Sequence, residues 1–174
     1  MEDEVTESLK TTVQRMIPLL FSVFLVLLSY VPLDFALFNN IRPAAGMVCV
    51  YYWMIHRPDI FNLISVYLLG MIEDIISAVP MGTNIFTLLV MYILLNNLGR
   101  FFYGKPFVIT WYGFAALSFV SFFSKWLMVS IYYGQFLPGP AAFFSFLVTI
   151  AAYPVLSLMN AFVQSYLVQD EELP

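Results

Sequence analysis

The chain has 174 residues, of which 61% are hydrophobic, 18% aromatic and only 10% charged. Soluble domains carry about 25% charged residues, so there is too little charge here to cover a water-facing surface. Together with a net charge of −4, this composition excludes a soluble globular domain and a nucleic-acid-binding protein. It predicts an all-α integral membrane protein with its outer surface in lipid.

Six apolar stretches separated by turn residues predict a bundle of about six transmembrane helices. The first stretch lacks a small-residue cleavage site and is expected to be retained. The chain is interpreted as one membrane domain, 1–174, with a cytoplasmic N-terminal tail and an acidic cytoplasmic C-terminal tail. In chain order, the predicted segments are the tail 1–15, spans at 16–37, 43–55, 60–79, 85–102, 107–133 and 141–168, and the tail 169–174.

The second span, 43–55, is shorter than the ~20 residues that normally cross a bilayer. The run His56-Arg57-Pro58-Asp59 ends it, because proline restricts the residue before it and lacks a backbone donor. Tilt, a locally thinner bilayer or a re-entrant path are the alternatives for this segment. If it does not cross, five spans remain and the C-terminus moves outside.

The basic residues favour six spans, because they concentrate on one side when the N-terminus is cytoplasmic. Both termini are then cytoplasmic. Arg42 lies outside and Lys125 lies near the outer end of span five. The residues placed inside are Lys10, Arg15, Arg57, Arg100 and Lys105.

Aromatic residues cluster near the predicted ends of the spans, where tyrosine and tryptophan commonly anchor a helix at the membrane surface. They are interpreted as such anchors: Tyr51, Tyr52, Trp53, Tyr103, Trp111, Tyr112, Tyr132 and Tyr133.

Three charged residues fall within predicted spans: Glu73 and Asp74 in span three, and Lys125 in span five. Burying such a charge costs about 2.5–3.5 kcal/mol on insertion scales, so it normally faces the bundle interior. Adjacent helical residues point ~100° apart, so the two carboxylates cannot face the same neighbour. Lys125 is predicted to pair with Asp74 or Glu73, and Arg42 to reach in from outside. A structural ion pair, a partner contact, and an ion pathway or catalytic acid are the alternatives.

Residue types that support catalysis or metal binding are scarce. Cys49 is the only cysteine, which excludes an intrachain disulfide and a CxxC site. His56 is the only histidine, and it is predicted on the opposite side of the membrane from the carboxylates. No catalytic residue, metal ligand or cofactor is therefore predicted.

An ordered set of short motifs spans residues 42–84: Arg42-Pro43, Tyr52-Trp53, Arg57-Pro58, then 70–77 with Glu73-Asp74, then 80–84. This order resembles the MreD family of bacterial rod shape-determining membrane proteins. Glu73 departs from the family pattern, in which the residue before the aspartate is usually uncharged. The residues singled out as structural or partner-contact candidates are Arg42, Trp53, Arg57, Gly70, Glu73, Asp74, Pro80, Gly82, Asn84 and Lys125.

The resemblance implies a non-enzymatic component of the cell-elongation machinery in the bacterial cytoplasmic membrane. It implies association with MreC and, through it, with MreB filaments and the SEDS glycosyltransferase and penicillin-binding transpeptidase. It also implies a six-helix bundle similar to the substrate-binding subunits of energy-coupling vitamin transporters. A small-molecule capture subunit of that kind and a membrane enzyme acting on lipid-linked intermediates are the alternative functions.

Overall fold

The helical segments of the chain are seen in a computed structural model that describes residues 2–31, 42–59, 61–77, 79–136 and 138–171, with side chains from residue 16 to residue 166. Within these ranges the chain forms six helices and no strand, so the predicted all-α class is confirmed. The helices are α1 (Glu2–Tyr30), α2 (Ala45–His56), α3 (Leu63–Ile76), α4 (Thr83–Phe102), α5 (Phe107–Tyr133) and α6 (Pro140–Glu171).

The helix ends follow local capping chemistry. Helix α5 begins after Pro106 and ends at Gly134, whose φ of 64° is left-handed, and its bounds are those predicted. Helix α3 begins after Asn62, whose Oδ1 accepts the N–H groups of Ile64 and Ser65 at 3.1 Å. It ends before Ser77, where the backbone is extended, so α3 is shorter than the predicted span.

Parts of several predictions lie outside the described residues. They are the end of the first predicted span at 37, the start of the third at 60, and the end of the C-terminal tail at 172–174. Helix α1 starts at Glu2, within the predicted N-terminal tail, whose side chains are outside the described set.

Helix α2 occupies the centre of the bundle, with every residue from Ala45 to Ile55 buried. The other five helices pack against it. A helix enclosed on all sides carries apolar residues on all faces, which accounts for its uninterrupted apolar sequence. At ~1.5 Å per residue, α2 extends ~18 Å, well short of a hydrocarbon core of ~30 Å.

The interpretation of Tyr51, Tyr52 and Trp53 as surface anchors is wrong, because α2 buries all three side chains. Tyr51 donates its hydroxyl to the Thr110 carbonyl at 2.7 Å, and its ring packs edge-on against that of Phe114 at 5.2 Å. These residues therefore stabilise the core. Tyr103, Tyr112, Tyr132 and Tyr133 remain exposed on the outside of the bundle.

Neighbouring contacts fix the directions of the helices. The Ala44 N–H donates to Thr149 Oγ1 at 3.0 Å, and Tyr52 Oη donates to Gln164 Oε1 at 2.6 Å, so α2 and α6 run parallel. Helices α1 and α3 end on the side of the bundle from which α2 and α6 start. We call this side of the bundle, with Tyr30, Ala44 and Thr149, the upper end.

The outer faces of the bundle are strongly apolar. Large hydrophobic side chains are exposed along the described parts of α1 and along α3–α6, including Leu20, Ile64, Ile93, Phe119 and Phe162. Within the described residues, α4, α5 and 140–166 of α6 are long and apolar enough to cross a membrane, and Met16–Tyr30 forms a shorter apolar helix. Exposed apolar side chains on this scale, together with the three long apolar helices, identify the chain as a membrane protein with a helical-bundle fold.

Candidate functional site

The Asp74 carboxylate joins the end of α3 to the start of α4. Its Oδ2 accepts the Gly82 N–H at 2.8 Å and the Ile85 N–H at 3.3 Å, and its Oδ1 accepts the Asn84 N–H at 2.8 Å. The N-cap residue of α4, Gly82, has no side chain to supply these acceptors, so Asp74 takes that role. A buried carboxylate at a helix N-terminus is stabilised by charge-assisted hydrogen bonds and by the helix dipole.

The turn between α3 and α4 holds the N–H groups in place for Asp74. Gly82 has a φ of 93°, a left-handed conformation that residues with a Cβ rarely adopt. The carbonyl of Pro80 accepts from the Thr83 hydroxyl at 2.7 Å. Gly70, one turn before Asp74, lies where α3 crosses α4, and a Cβ there would be 2.7 Å from Ile85 Cα.

Glu73 faces a different neighbour, as the sequence predicts for adjacent helical residues. It is only 6% exposed, and its Oε1 accepts the Gly46 N–H at 3.2 Å in the first turn of α2. A Cβ at position 46 would overlap the Glu73 carboxylate, so the contact requires glycine there. Each of the two carboxylates is therefore bonded to the start of a different helix.

Lys125 does not form the predicted direct pair with either carboxylate. Its Nζ donates to Asn84 Oδ1 at 2.6 Å, and Asn84 Nδ2 donates in turn to Ser77 Oγ at 2.7 Å. In the described part of the chain, the ion pair within 4.0 Å is instead Arg57–Asp59. The prediction is wrong in this respect because backbone N–H groups occupy the Asp74 oxygens, although both carboxylates still attract Lys125 at longer range.

A cavity of about 460 Å³ opens above the first turn of α2, at the upper end of the bundle. It exists because α2 is too short to fill this layer, so the longer helices around it enclose the space. Arg42, which was predicted to reach in, lines the cavity, with its guanidinium 5.2 Å from the Tyr30 ring centre. Other lining residues are Glu73, Ser77, Asn84, Phe122, Lys125, Trp126, Ala142 and Ser145.

The remaining candidates, Trp53 and Arg57, lie at the lower end of α2, away from the cavity. Trp53 is fully buried, and its indole N–H has no hydrogen-bond partner among the described residues. Arg57 follows the last turn of α2 and contacts Asp59 at 3.6 Å. His56 stacks on Tyr52 at 4.2 Å. The structure thus separates these residues from Arg42, Glu73, Asp74, Asn84 and Lys125, which it brings together.

Sequence reasoning missed several residues of the cavity, notably Tyr30, Ser77 and Trp126. Each lies near a helix end on a different helix, so no spacing within one segment connects them. In the described part of the chain, no three His, Cys, Asp or Glu side chains converge as metal ligands would.

Residues 9–164, nearly the whole chain, match the family described as rod shape-determining protein MreD. The chain belongs to the MreD family. The family is described as rod shape-determining, which associates this MreD-family protein with the determination of rod shape. The predicted resemblance to the family is confirmed by this match.

The MreD-family chain is also 26% identical over 121 residues to a protein of Rickettsia prowazekii (strain Madrid E) named uncharacterized protein RP566. The match covers 70% of this chain and 69% of that protein. No solved structure matches the chain significantly, so the predicted likeness to vitamin-transporter subunits stays a prediction.

Proposed function

We propose that this MreD-family protein is a non-enzymatic component of the cell-elongation machinery in the bacterial cytoplasmic membrane. In this role it associates with MreC and, through MreC, connects MreB filaments to the SEDS glycosyltransferase and penicillin-binding transpeptidase that build peptidoglycan. The family match over residues 9–164 is the observation that carries the proposal. We further propose one membrane domain with both termini in the cytoplasm.

The use of the polar groups supports a structural role over a catalytic one. Asp74 and Glu73 bond to the N-termini of two helices, and Lys125 bonds to Asn84. Groups used in this way hold helices together, which leaves the apolar outer faces of the helices as the surfaces available to membrane partners. Exposed side chains on α3 and α6, such as Ile64, Ile75 and Phe162, are candidate contacts for a transmembrane helix of MreC.

Depletion of the protein tests this role directly. Loss of the chain should turn rod-shaped cells round, and the detergent-solubilised protein should co-purify with MreC. Photo-crosslinkers at Ile75 and Phe162 should capture MreC, whereas one at the buried Leu69 should not. The proposal would be refuted if depleted cells remained rod-shaped and the protein did not associate with MreC.

The cavity favours a second candidate function, the capture of a small molecule. Its volume lies within the range of ligand sites, about 300–1,000 Å³. As a vitamin-transporter subunit, the chain would bind a vitamin there and associate with an ATPase-linked partner. Thermal-shift measurements across water-soluble vitamins would show a stabilising ligand if this candidate is right, and none if it is wrong.

A variant that lacks the carboxylate but keeps cell-shape function would exclude the remaining alternative, an enzyme that acts on lipid-linked intermediates. Such an enzyme needs its carboxylates for proton transfer. Cells that keep their rod shape with Glu73→Gln would show that the carboxylate which faces the cavity is not a catalytic group.

A further inference from the structure

The cavity at the upper end has more cationic hydrogen-bond donors than carboxylate oxygens available to an occupant. Lys125 Nζ uses one donor, on Asn84, and no carboxylate in the described part of the chain lies within 4.0 Å of it or of Arg42. The Asp74 oxygens are occupied by α4. Glu73 Oε1 accepts the Gly46 N–H, whereas Glu73 Oε2 has no hydrogen-bond partner among the described residues. The cavity therefore offers two cationic donors and one carboxylate oxygen to an occupant.

An apolar groove adjoins this cavity on the outside of the bundle. It runs between α5 and α6 with a volume of about 250 Å³, and it shares Phe122, Trp126 and Ala142 with the cavity. Its other walls are Phe119, Phe123, Phe143, Phe146 and Gly139. Phe119, Phe123 and Phe143 are exposed on the lipid-facing surface, so the groove is in contact with the acyl chains of the bilayer.

We propose that the cavity and the groove together bind one membrane phospholipid. The phosphate accepts from Lys125 and Arg42, and one acyl chain lies along the groove past Trp126 and Phe143. Charge-assisted bonds from ammonium and guanidinium groups to phosphate are strong away from water. A water-soluble ligand has no apolar chain to fill a groove that opens into lipid, which is why the occupant is an amphiphile.

Glu73 selects among phospholipid headgroups. An ionised carboxylate oxygen only accepts hydrogen bonds, so it favours a headgroup with hydrogen-bond donors, and an ammonium group adds charge attraction to its N–H donors. Phosphatidylethanolamine supplies an ammonium group next to its phosphate. Phosphatidylcholine has the same phosphate but a quaternary nitrogen without N–H. The proposed site therefore prefers phosphatidylethanolamine.

Binding of defined lipids to the purified full-length chain in detergent tests the proposal, with native mass spectrometry as the readout. Phosphatidylethanolamine should bind several-fold more tightly than phosphatidylcholine. Diacylglycerol, which has the chains without phosphate, and inorganic phosphate, which has no chain, should each bind at least tenfold more weakly. Diacylglycerol bound as tightly as phosphatidylethanolamine would overturn the phosphate contact, and inorganic phosphate bound as tightly would overturn the role of the groove.

Matched charge removals locate the site. Arg42→Gln and Lys125→Met should each weaken phosphatidylethanolamine binding about tenfold, the loss expected for one charge-assisted contact. Arg100→Gln and Lys105→Met remove exposed cations near the other end of α4 and should change nothing. Equal losses from both sets would mean non-specific surface attraction and would overturn the proposal. If Lys125→Met fails to fold, the exposed Arg42 decides the outcome.

Two further variants test the parts of the proposal that concern specificity. Glu73→Gln should abolish the preference for phosphatidylethanolamine over phosphatidylcholine while the protein still binds both. Ala142→Phe should narrow the junction between the cavity and the groove, and thereby weaken binding of phospholipid but not of inorganic phosphate. A preference that survives in Glu73→Gln would overturn the assignment of Glu73.

Discussion

At the end of α3, adjacent carboxylates stabilise the starts of two different helices. Asp74 accepts from the N-terminus of α4 and Glu73 from that of α2. Their ~100° separation on the helix makes this division possible. A carboxylate in a membrane bundle is costly unless it is paired, and here the backbone N–H groups that helix ends leave unbonded provide the pairing.

The role of Asp74 predicts a large loss of stability on removal of its charge. Asp74→Asn keeps one acceptor oxygen but places an amide donor against backbone N–H groups. We expect the free energy of unfolding in mixed micelles to fall by about 2 kcal/mol. Asp59→Asn removes an exposed carboxylate from a surface ion pair and should change the same quantity by less than about 0.5 kcal/mol. Equal effects of the two substitutions would contradict the capping role.

Lys125 should be coupled energetically to Asn84 more strongly than to Asp74. In a double-mutant cycle, Lys125→Met with Asn84→Ala should give an interaction energy of about 1 kcal/mol, because the two side chains are in direct contact. Lys125→Met with Asp74→Ala should give a smaller interaction energy, because Asn84 links the two residues without a direct contact between them, and the double variant should not regain stability. Recovery of stability in that second double variant would restore the direct ion pair that the sequence suggests.

Among the helices, the ends that carry strong local signals were predicted correctly, whereas features that depend on contacts between distant residues were missed. Pro106 and Gly134 set the bounds of α5, which were predicted correctly. The burial of α2 was missed because apolar residues on all faces also fit a membrane span, and only its shortness indicated otherwise. The capping by Asp74 was missed because its partners lie eight to eleven residues away, across a turn whose geometry depends on Gly82.

The close crossing of α3 and α4 depends on Gly70. A Cβ at this position would be 2.7 Å from Ile85 Cα, a backbone atom that cannot move without shifting α4. Gly70→Ala should therefore lower the free energy of unfolding by about 1–3 kcal/mol through overpacking. Gly99 is the matched control because it is also helical, but its added Cβ would meet only Met54 O, at 3.9 Å.

Gly99→Ala should be neutral or should raise the free energy of unfolding by up to about 1 kcal/mol, because alanine is the better helix former. The same measurement in micelles serves both variants. A Gly70→Ala protein as stable as Gly99→Ala would show that α3 and α4 tolerate a wider separation.

Across the whole molecule, one short central helix surrounded by longer ones accounts for the position of the cavity. Helix α2 fills the middle and lower layers with apolar side chains from Ala45 to Ile55. Above it, the surrounding helices enclose a layer that contains Arg42, Glu73, Asn84 and Lys125. Among the described residues, the buried carboxylates and Lys125 therefore lie at one end of the bundle, and which side of the membrane that end faces determines what the cavity can meet.

With six crossings and both termini in the cytoplasm, as proposed, the upper end of the bundle lies outside the cytoplasm, and labelling of single cysteines tests this arrangement. Gln135→Cys lies in the α5–α6 turn at the upper end, and Lys105→Cys lies in the α4–α5 turn at the lower end; both sites are exposed, whereas the native Cys49 is buried. In bacterial cells whose cytoplasmic membrane is intact but whose outer envelope has been made permeable, a membrane-impermeant thiol reagent should label Gln135→Cys. Lys105→Cys should react only after the cytoplasmic membrane is opened. The reverse pattern would mean that the bundle is inserted the other way round, with both termini outside the cytoplasm, and it would place the cavity with Lys125 on the cytoplasmic side.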